Sequence, residues 1–225
     1  MLEEQGPGIW TCSAPLSLAG AQIGTRMTVV RLADEGLALI APVEIDDELA
    51  AELAAIGQVR ALIAPNLFHH FYFLAAAQRY PDAAYFLAKG VETKMGTRPE
   101  GAADLCEMPP ALWQSSLEQI PLEGAPHTNE VIFFHPASQT LILTDLCFNF
   151  DPAPGGWTGI FLWLAGARGR LAVSRLMRAG FKEPERLRAS IDRILEWDFE
   201  NLILTHGDVI EGDAKARFVA ATRDL

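Results

Sequence analysis

Short apolar segments of strand length alternate with amphipathic helical segments along most of this 225-residue chain. The clearest pair of strands lies in residues 130–145, "EVIFFHPASQTLILTD", where two apolar runs flank a polar turn. Residues 201–207, "NLILTHG", follow an amphipathic helix at 183–197 and end the series with a buried strand. Half of the residues are hydrophobic, which is enough for one sizeable core. We therefore predict one α/β domain over residues 1–225, with mixed sheets covered by helices.

Capping and turn residues set the bounds of the other elements. Two strands within residues 26–43 are joined by a turn at Asp34–Gly36, and a helix at 46–57 has Asp46 as its N-cap and ends at Gly57. Residues 90–120 carry Gly and Pro and form a loop-rich stretch to which the sequence assigns no element. The remaining predicted elements are strands at 59–66 and 83–88 and helices at 70–81, 168–180 and 212–225.

Composition excludes several classes of partner. The net charge of −11 argues against nucleic acid, which normally requires a basic patch. The most basic stretch, residues 168–180, alternates basic with apolar residues, so we predict a solvated helix face there rather than a phosphate contact. Three widely spaced cysteines form no disulfide framework, and no run approaches the ~20 apolar residues of a membrane helix. We therefore predict a cytoplasmic protein without a membrane partner.

Polar side chains follow three of the buried strands at the points where those strands end. A carboxylate in an apolar segment is costly unless it is paired or bound to a cation. Strand ends are also where α/β folds place ligand-binding groups. Imidazole and carboxylate together can hold zinc and leave a position for water. The residues at these strand ends are Asn66, His69, His70, Asp145, His206 and Asp208.

His69 and His70 are adjacent, so whether both can bind one metal depends on where the following helix begins. Neighbouring helical residues diverge by about 100°, so both reach one metal only from the turn before the helix or from its first residue. A helix beginning near them would keep their imidazoles neutral, which is the state that a metal needs.

The order of these motifs resembles that of the metallo-β-lactamase superfamily, in a divergent branch, over roughly residues 26–210. The first motif of that superfamily, H-x-H-x-D-H after a strand, corresponds to "PNLFHH", residues 65–70. A later histidine before a hairpin corresponds to His127, the bridging aspartate after the hairpin to Asp145, and the final histidine to His206. The resemblance implies a four-layer αββα sandwich with its metals at one edge.

The first motif is altered in this chain. Its first two histidines fall on Pro65 and Leu67, which cannot ligate a metal, while its aspartate falls on His69 and its last histidine on His70. The resemblance therefore implies one zinc ion rather than two, with iron or manganese as alternatives. The metal ligands that it implies are His69, His70, His127, Asp145 and His206.

Structural roles compete with these assignments. His69 and His70 can cap a helix and pack against aromatic neighbours, Asp145 can cap the loop after its strand, and His206 can bond a backbone carbonyl. His127 can simply be exposed in a polar loop.

Other residues have simpler explanations. His135 lies in the hairpin turn and is predicted to be exposed, whereas Cys147 is predicted to be a small buried hydrophobe. Asp208 either orients His206 or forms a turn with Gly207. The Trp-rich segment 155–166 is predicted to be core or a homodimer contact, with a roof over a substrate cleft as the alternative.

These residues suggest a metal-dependent hydrolase that acts on a small-molecule ester, thioester, lactone or phosphodiester. Asp145 and Asp208 are its predicted catalytic residues, and Asn66 is its predicted substrate contact. The alternative is a catalytically silent binding protein whose metal site has decayed. Redox chemistry at an iron site is a third alternative. The chain has no room for a flavin domain, which counts against this alternative.

Overall fold

The computed structural model describes residues 1–225 and contains fifteen strands and seven α-helices. The strands are β1 (Glu3–Gly6), β2 (Ile9–Ala14), β3 (Ser17–Leu18), β4 (Ala21–Gln22), β5 (Thr25–Arg31), β6 (Leu37–Ile40), β7 (Val59–Ala64), β8 (Ala84–Leu87), β9 (Ala103–Asp104), β10 (Glu118–Pro121), β11 (Val131–His135), β12 (Thr140–Leu143), β13 (Phe148–Asn149), β14 (Leu171–Ala172) and β15 (Asn201–Leu204). The helices are α1 (Asp47–Ile56), α2 (Phe73–Arg79), α3 (Val91–Met95), α4 (Gly156–Ala165), α5 (Arg175–Gly180), α6 (Pro184–Ile194) and α7 (Ala214–Thr222), with one 3₁₀ turn at Pro136–Ser138.

Two mixed sheets form the centre of the molecule. The larger has the strand order β1-β2-β5-β6-β7-β8-β9 and the smaller the order β10-β11-β12-β15. In the larger sheet the pairs from β1 to β6 are antiparallel and those from β6 to β9 are parallel. In the smaller sheet only β12 and β15 run parallel. Two further two-stranded sheets pair β3 with β4 and β13 with β14.

Alternate residues of β11 divide the interior into two cores. Val131 and Phe133 face the larger sheet and belong to the core between the two sheets. This core is continuous with the buried residues of α1 and α2. Ile132 and Phe134 point the other way and pack with residues of α6 and α7. The layers are therefore helix, sheet, sheet, helix, which confirms the predicted αββα sandwich.

Local signals placed several elements correctly. The Asp46 side chain accepts a hydrogen bond from the backbone N–H of Leu49 at 2.8 Å, and α1 ends before Gly57. The predicted hairpin at 130–145 is present as β11 and β12. Cys147 is fully buried, as predicted.

One prediction along the chain is wrong. The predicted helix at 168–180 is only α5, because Leu171 and Ala172 pair with β13 as strand β14 and Ser174 then caps the helix. The loop-rich stretch at 90–120, to which the sequence assigned no element, contains α3, β9 and the start of β10.

An N-terminal hairpin that the sequence analysis missed covers the turn after β11. The turn between β1 and β2 passes so close that a Cβ on Gly8 would lie 3.8 Å from Cε1 of His135. His135 is consequently only 3% exposed, and its Nδ1 lies 2.7 Å from Oγ of Ser138. The prediction that His135 is exposed is therefore wrong.

None of the helices combines the length and the apolar composition that crossing a membrane requires.

Candidate metal centre

The parallel pairing of β12 with β15 brings Asp145 and His206 together. Leu143 at the end of β12 lies opposite Leu204 at the end of β15. Asp145 and His206 each follow two residues later, so the two side chains leave the same edge of the sheet. Both are buried. The two polar residues that follow apolar strands in the sequence, Asp145 and His206, thus face each other in the structure.

Asn66 places His69 beside this pair. Its Oδ1 accepts hydrogen bonds from the backbone N–H groups of Phe68 at 2.9 Å and His69 at 2.8 Å, which closes the turn after β7. Its Nδ2 donates to Oδ2 of Asp145 at 2.6 Å and to Oγ1 of Thr144 at 2.8 Å. One buried amide therefore ties the His69 turn to the Asp145 loop.

Three potential ligand atoms converge as a result. His69, Asp145 and His206 each offer one atom, and these atoms lie within 4.8 Å of one another. Nε2 of His69 is 3.1 Å from Oδ2 of Asp145, and Nε2 of His206 is 3.4 Å from Oδ1. Nε2 of His69 is buried and makes no well-directed hydrogen bond despite the short distance. Two imidazoles and a carboxylate are the donor set that zinc accepts, so the residues fit one such ion.

A backbone carbonyl fixes the orientation of His206. Nδ1 of His206 lies 2.6 Å from the carbonyl oxygen of Gly24, which can only accept a hydrogen bond. Nδ1 therefore carries the proton in the neutral ring, and the lone pair lies on Nε2, which faces Asp145. This is the arrangement that metal-ligating histidines commonly adopt.

The environment of Asp145 favours its ionised form. Burial by itself would raise the pKa of Asp145, but the charge interaction with His69 and the contact with His206 outweigh it and hold the pKa below its ordinary value. A buried carboxylate is costly unless a protonated side chain or a metal ion lies beside it.

A second buried carboxyl group, Glu130, lies behind Asp145. Burial, together with the negative charge of Asp145, raises the pKa of Glu130 to about 7. The sequence analysis missed this residue because it considered polar residues that follow buried strands, whereas Glu130 directly precedes the apolar strand β11.

An apolar cavity of ≈ 330 Å³ opens over the three converging side chains. His69, Asp145 and His206 lie in its wall, and the rest of the lining is mostly apolar. No Lys or Arg lines it. Such a concave apolar site with a few convergent polar groups is typical of a small-molecule site. Its walls include Leu16, Ile23, Phe68, Phe148 and Met177.

Of the five predicted ligands, the structure brings His69, Asp145 and His206 together and leaves His70 and His127 outside that group. Both His69 and His70 precede α2, yet the His70 ring packs on Phe71 with ring centroids 4.9 Å apart. The end of α5 lies against His127, since a Cβ on Gly180 would be only 2.3 Å from its Cγ. Burial lowers the pKa of both His70 and His127.

Asn66 and Asp208, the predicted substrate contact and the second predicted catalytic residue, lie away from the wall of this cavity. Asn66 is 0% exposed and both ends of its amide are engaged, so it positions Asp145 and does not line the cavity. The exposed Asp208 lies in a different cavity wall, and the backbone of Gly24, not Asp208, holds His206.

Comparison with known proteins agrees with the fold described above. The profile of a domain of unknown function, DUF4336, matches residues 7–93. No curated protein matches the sequence. Among solved structures, a metallo-β-lactamase from Pontibacter korlensis superposes with a TM-score of 0.67 at 11% identity, over 100% of this chain and 99% of that one. A putative diflavin flavoprotein A 5 fragment from Nostoc sp. PCC 7120 gives a TM-score of 0.70 at 12% identity, over 99% and 95% of the two chains. The chain has the metallo-β-lactamase fold.

Within this metallo-β-lactamase fold, two positions of the first histidine motif are apolar and engaged elsewhere. The carbonyl oxygen of Pro65 accepts a hydrogen bond from the N–H of Val131 at 2.9 Å, and Leu67 packs in the core between the sheets. The residues described here therefore fit one ion and supply no side-chain ligand at those two positions.

Proposed function

We propose that the chain binds one divalent metal ion through His69, Asp145 and His206 and is a metal-dependent hydrolase. The observation that carries the proposal is the convergence of the three ligand atoms, with the Nε2 lone pair of His206 turned toward Asp145. Zinc suits two imidazoles and a carboxylate best, and iron or manganese accept the same donors.

The residues of the chain have distinct tasks in this proposal. A divalent metal in such a site makes a bound water more acidic and polarises the oxygen of a substrate carbonyl. Asp145 supplies the negative charge that holds the ion, and Asn66 fixes one oxygen of that carboxylate. The apolar walls of the cavity exclude bulk water, which strengthens every charge interaction within it.

The lining of the cavity narrows the substrate class. No Lys or Arg faces the cavity, so a phosphodiester would have only the metal ion as a partner for its charge. An uncharged ester, thioester or lactone with an apolar substituent suits the walls better. We propose this class as the substrate.

The wider cellular predictions remain proposals. The net charge of −11 favours a small molecule over nucleic acid as the ligand. Trp157 and Trp163 on α4 are exposed, which is compatible with the predicted homodimer contact. The cytoplasmic location rests on the cysteine pattern alone.

A catalytically silent binding protein is the second candidate. The observation that favours it is the placement of Pro65 and Leu67 at two motif positions, where they support the core. In that case His69, Asp145 and His206 form a hydrogen-bonded cluster without a metal.

Elemental analysis of the chain purified without chelator separates the two candidates. We expect about one equivalent of metal per chain, and loss of most of it in His69→Ala and His206→Ala. His70→Ala is the matched control, because His70 is the neighbour of His69 in the same turn but lies outside the group. No metal after purification and after reconstitution with zinc would favour the silent protein.

Hydrolysis assays then test the reaction itself. The metal-loaded chain and Asp145→Asn are compared on an aryl ester, a thioester, a lactone and a phosphodiester. We expect hydrolysis of at least one of the three uncharged substrates, with a loss of about 100-fold or more in Asp145→Asn. Metal binding without hydrolysis of any of the four would contradict the proposed enzyme and leave the metal centre intact.

A further inference from the structure

The apolar cavity over the candidate metal centre continues into a second apolar cavity. The second has a volume of ≈ 460 Å³ and lies beside α4 and the start of α5. Four residues line both cavities, namely Leu18, Ile23, Phe148 and Leu176. Because the walls are shared, the two cavities form one apolar groove, and we use that name for both together.

The rim of the apolar groove leaves large hydrophobic side chains in water. Phe71 is 72% exposed, and Leu164 and Leu176 are each more than half exposed. Apolar side chains grouped in this way around a groove mark a surface that another apolar group covers.

A third cavity, of ≈ 460 Å³, adjoins the far end of the groove and is lined by arginines. They are Arg170, Arg175, Arg178 and Arg217. Arg175 lines both this arginine cavity and the apolar groove, and the next residue, Leu176, lines the groove. The two environments therefore meet at the first turn of α5.

The arginine cavity carries positive charge that the protein itself does not neutralise. Arg170, Arg175 and Arg178 have no carboxylate within ion-pair distance, whereas Arg217 lies 3.2 Å from Asp151. Arg175 donates to the carbonyl oxygen of Leu164 at 3.0 Å, and Arg178 donates only to backbone carbonyls. Asp224 is the one carboxylate in the cavity wall. In a chain with a net charge of −11, four arginines around one cavity favour an anionic group there.

We propose that the apolar groove and the arginine cavity together bind a single-chain anionic amphiphile, an alkyl chain that ends in a carboxylate or a phosphate. The chain lies in the groove and covers its apolar rim, and the anionic end lies among the arginines. Guanidinium groups pair with either anion through two parallel hydrogen bonds. The inference does not depend on hydrolysis or on the metal centre.

Calorimetric titration of metal-free chain tests this binding. Protein is treated with EDTA and its residual metal measured, so that a carboxylate cannot bind through a metal ion. The ligands are dodecanoate, dodecyl phosphate and octanoate, each below its micelle concentration, and dodecanol below its solubility limit. We expect dodecanoate and dodecyl phosphate to bind at least about tenfold more tightly than octanoate, since each buried methylene is worth about a threefold to fourfold gain in affinity. We expect the same margin over dodecanol, because it has no anionic group to pair with the arginines.

Two variants separate the halves of the site. Arg170→Gln combined with Arg217→Gln removes two cations from the arginine cavity at residues that do not line the groove, and Ala165→Phe fills the groove at a residue that lines it. The first should weaken dodecanoate at least about tenfold and leave dodecanol unchanged, because each bidentate Arg–carboxylate contact is charge-assisted. The second should weaken both ligands. The matched controls are Arg223→Gln, an exposed arginine without an ion pair, and Ala216→Phe on the exposed face of α7.

Three results would overturn the proposal. The first is equal affinity for dodecanoate and dodecanol, which would remove the role of the arginines. The second is equal affinity for dodecanoate and octanoate, which would leave an anion site without a groove. The third is unchanged binding in Ala165→Phe while its fold is intact by circular dichroism.

Discussion

Glu130 holds Asp145 in place through the backbone. Oε1 of Glu130 accepts a hydrogen bond from the N–H of Thr144 at 2.7 Å, and Oε2 accepts one from the N–H of Asp145 at 3.1 Å. Glu130 precedes β11 and Asp145 follows β12, so the two carboxyl groups belong to the open end of one hairpin. The backbone of Asp145 is thus fixed by a residue that does not itself line the cavity.

Replacing Glu130 by Gln tests this support. The Gln amide offers one acceptor oxygen, so one of the two buried N–H groups loses its partner and faces an NH₂ group instead. We expect the free energy of unfolding in urea to fall by about 1–3 kcal/mol. Glu211→Gln, at an exposed site without an ion pair, is the control and should change stability by less than about 0.5 kcal/mol. Equal stability of Glu130→Gln and wild type would show that the double contact is unimportant.

The turn after His206 leaves no room for a side chain at Gly207. Its φ is +87°, and a Cβ there would lie 1.9 Å from the carbonyl oxygen of Asn149. Gly212 also has a positive φ, +65°, but nothing lies within 4 Å of a Cβ at that position. Gly212→Ala should therefore cost only the backbone strain of about 1–2 kcal/mol.

Gly207→Ala should cost more than about 4 kcal/mol in the same urea experiment, because the clash with Asn149 adds to the strain. Gly212→Ala isolates the strain from the clash. Similar losses for the two variants would mean that the Asn149 backbone yields easily and that the position of His206 is not fixed by this turn.

Burial of His135 makes stability depend on pH. Burial lowers the pKa of His135 in the folded chain below its ordinary value of about 6.5. As the pH falls below about 6.5, the unfolded chain takes up a proton at this residue before the folded chain does, so stability is lost. The Ser138 hydroxyl donates to Oγ1 of Thr140, so it accepts from Nδ1 of His135. His135→Gln keeps a donor for Ser138 in its amide NH₂ group and cannot titrate in this range.

The urea midpoint of wild type and His135→Gln should therefore differ in its dependence on pH. We expect a shallower fall for the variant between about pH 6.5 and pH 5, since one titrating group has been removed. Parallel curves for the two proteins would show that His135 titrates equally in both states and is not shielded by the N-terminal hairpin.

The three cysteines should differ sharply in reactivity. Cys106 is exposed, whereas Cys12 and Cys147 are buried, and burial raises the pKa of the Cys12 thiol. With an aromatic disulfide reagent we expect one thiol per native chain to react quickly, and Cys106→Ser to remove that fast phase. A fast phase that persists in Cys106→Ser would indicate that one of the two cores opens readily.

Much of the fold follows from local sequence signals. The cap at Asp46, the stop at Gly57 and the hairpin at 130–145 were all predictable, because each depends on residues close together in the chain. The N-terminal hairpin was not, since its short strands depend on pairing with β5. The burial of His135 depends in turn on that hairpin, and the sequence predicted the opposite.

The site was predictable in part for a related reason. Polar residues after apolar strands pointed to His69, Asp145 and His206. Asp145 and His206 follow parallel strands that end at one edge of the smaller sheet, and His69 follows β7 of the larger sheet. The resemblance to a family motif added His70 and His127, which the structure leaves outside that group: the His70 ring packs on Phe71, and His127 lies against the end of α5. No periodicity in the sequence reports such contacts. The carbonyl of Gly24 is likewise invisible in the sequence, since any residue offers a carbonyl there.

The most direct measurement of the central claim is an anomalous difference map from crystals of the chain soaked in zinc, collected at the zinc edge. We predict one strong peak per chain, at about 2.0–2.2 Å from Nε2 of His69, Nε2 of His206 and an oxygen of Asp145. A peak of comparable height at His70, His127 or His135, or no peak beside Asp145 at saturating zinc, would contradict the account.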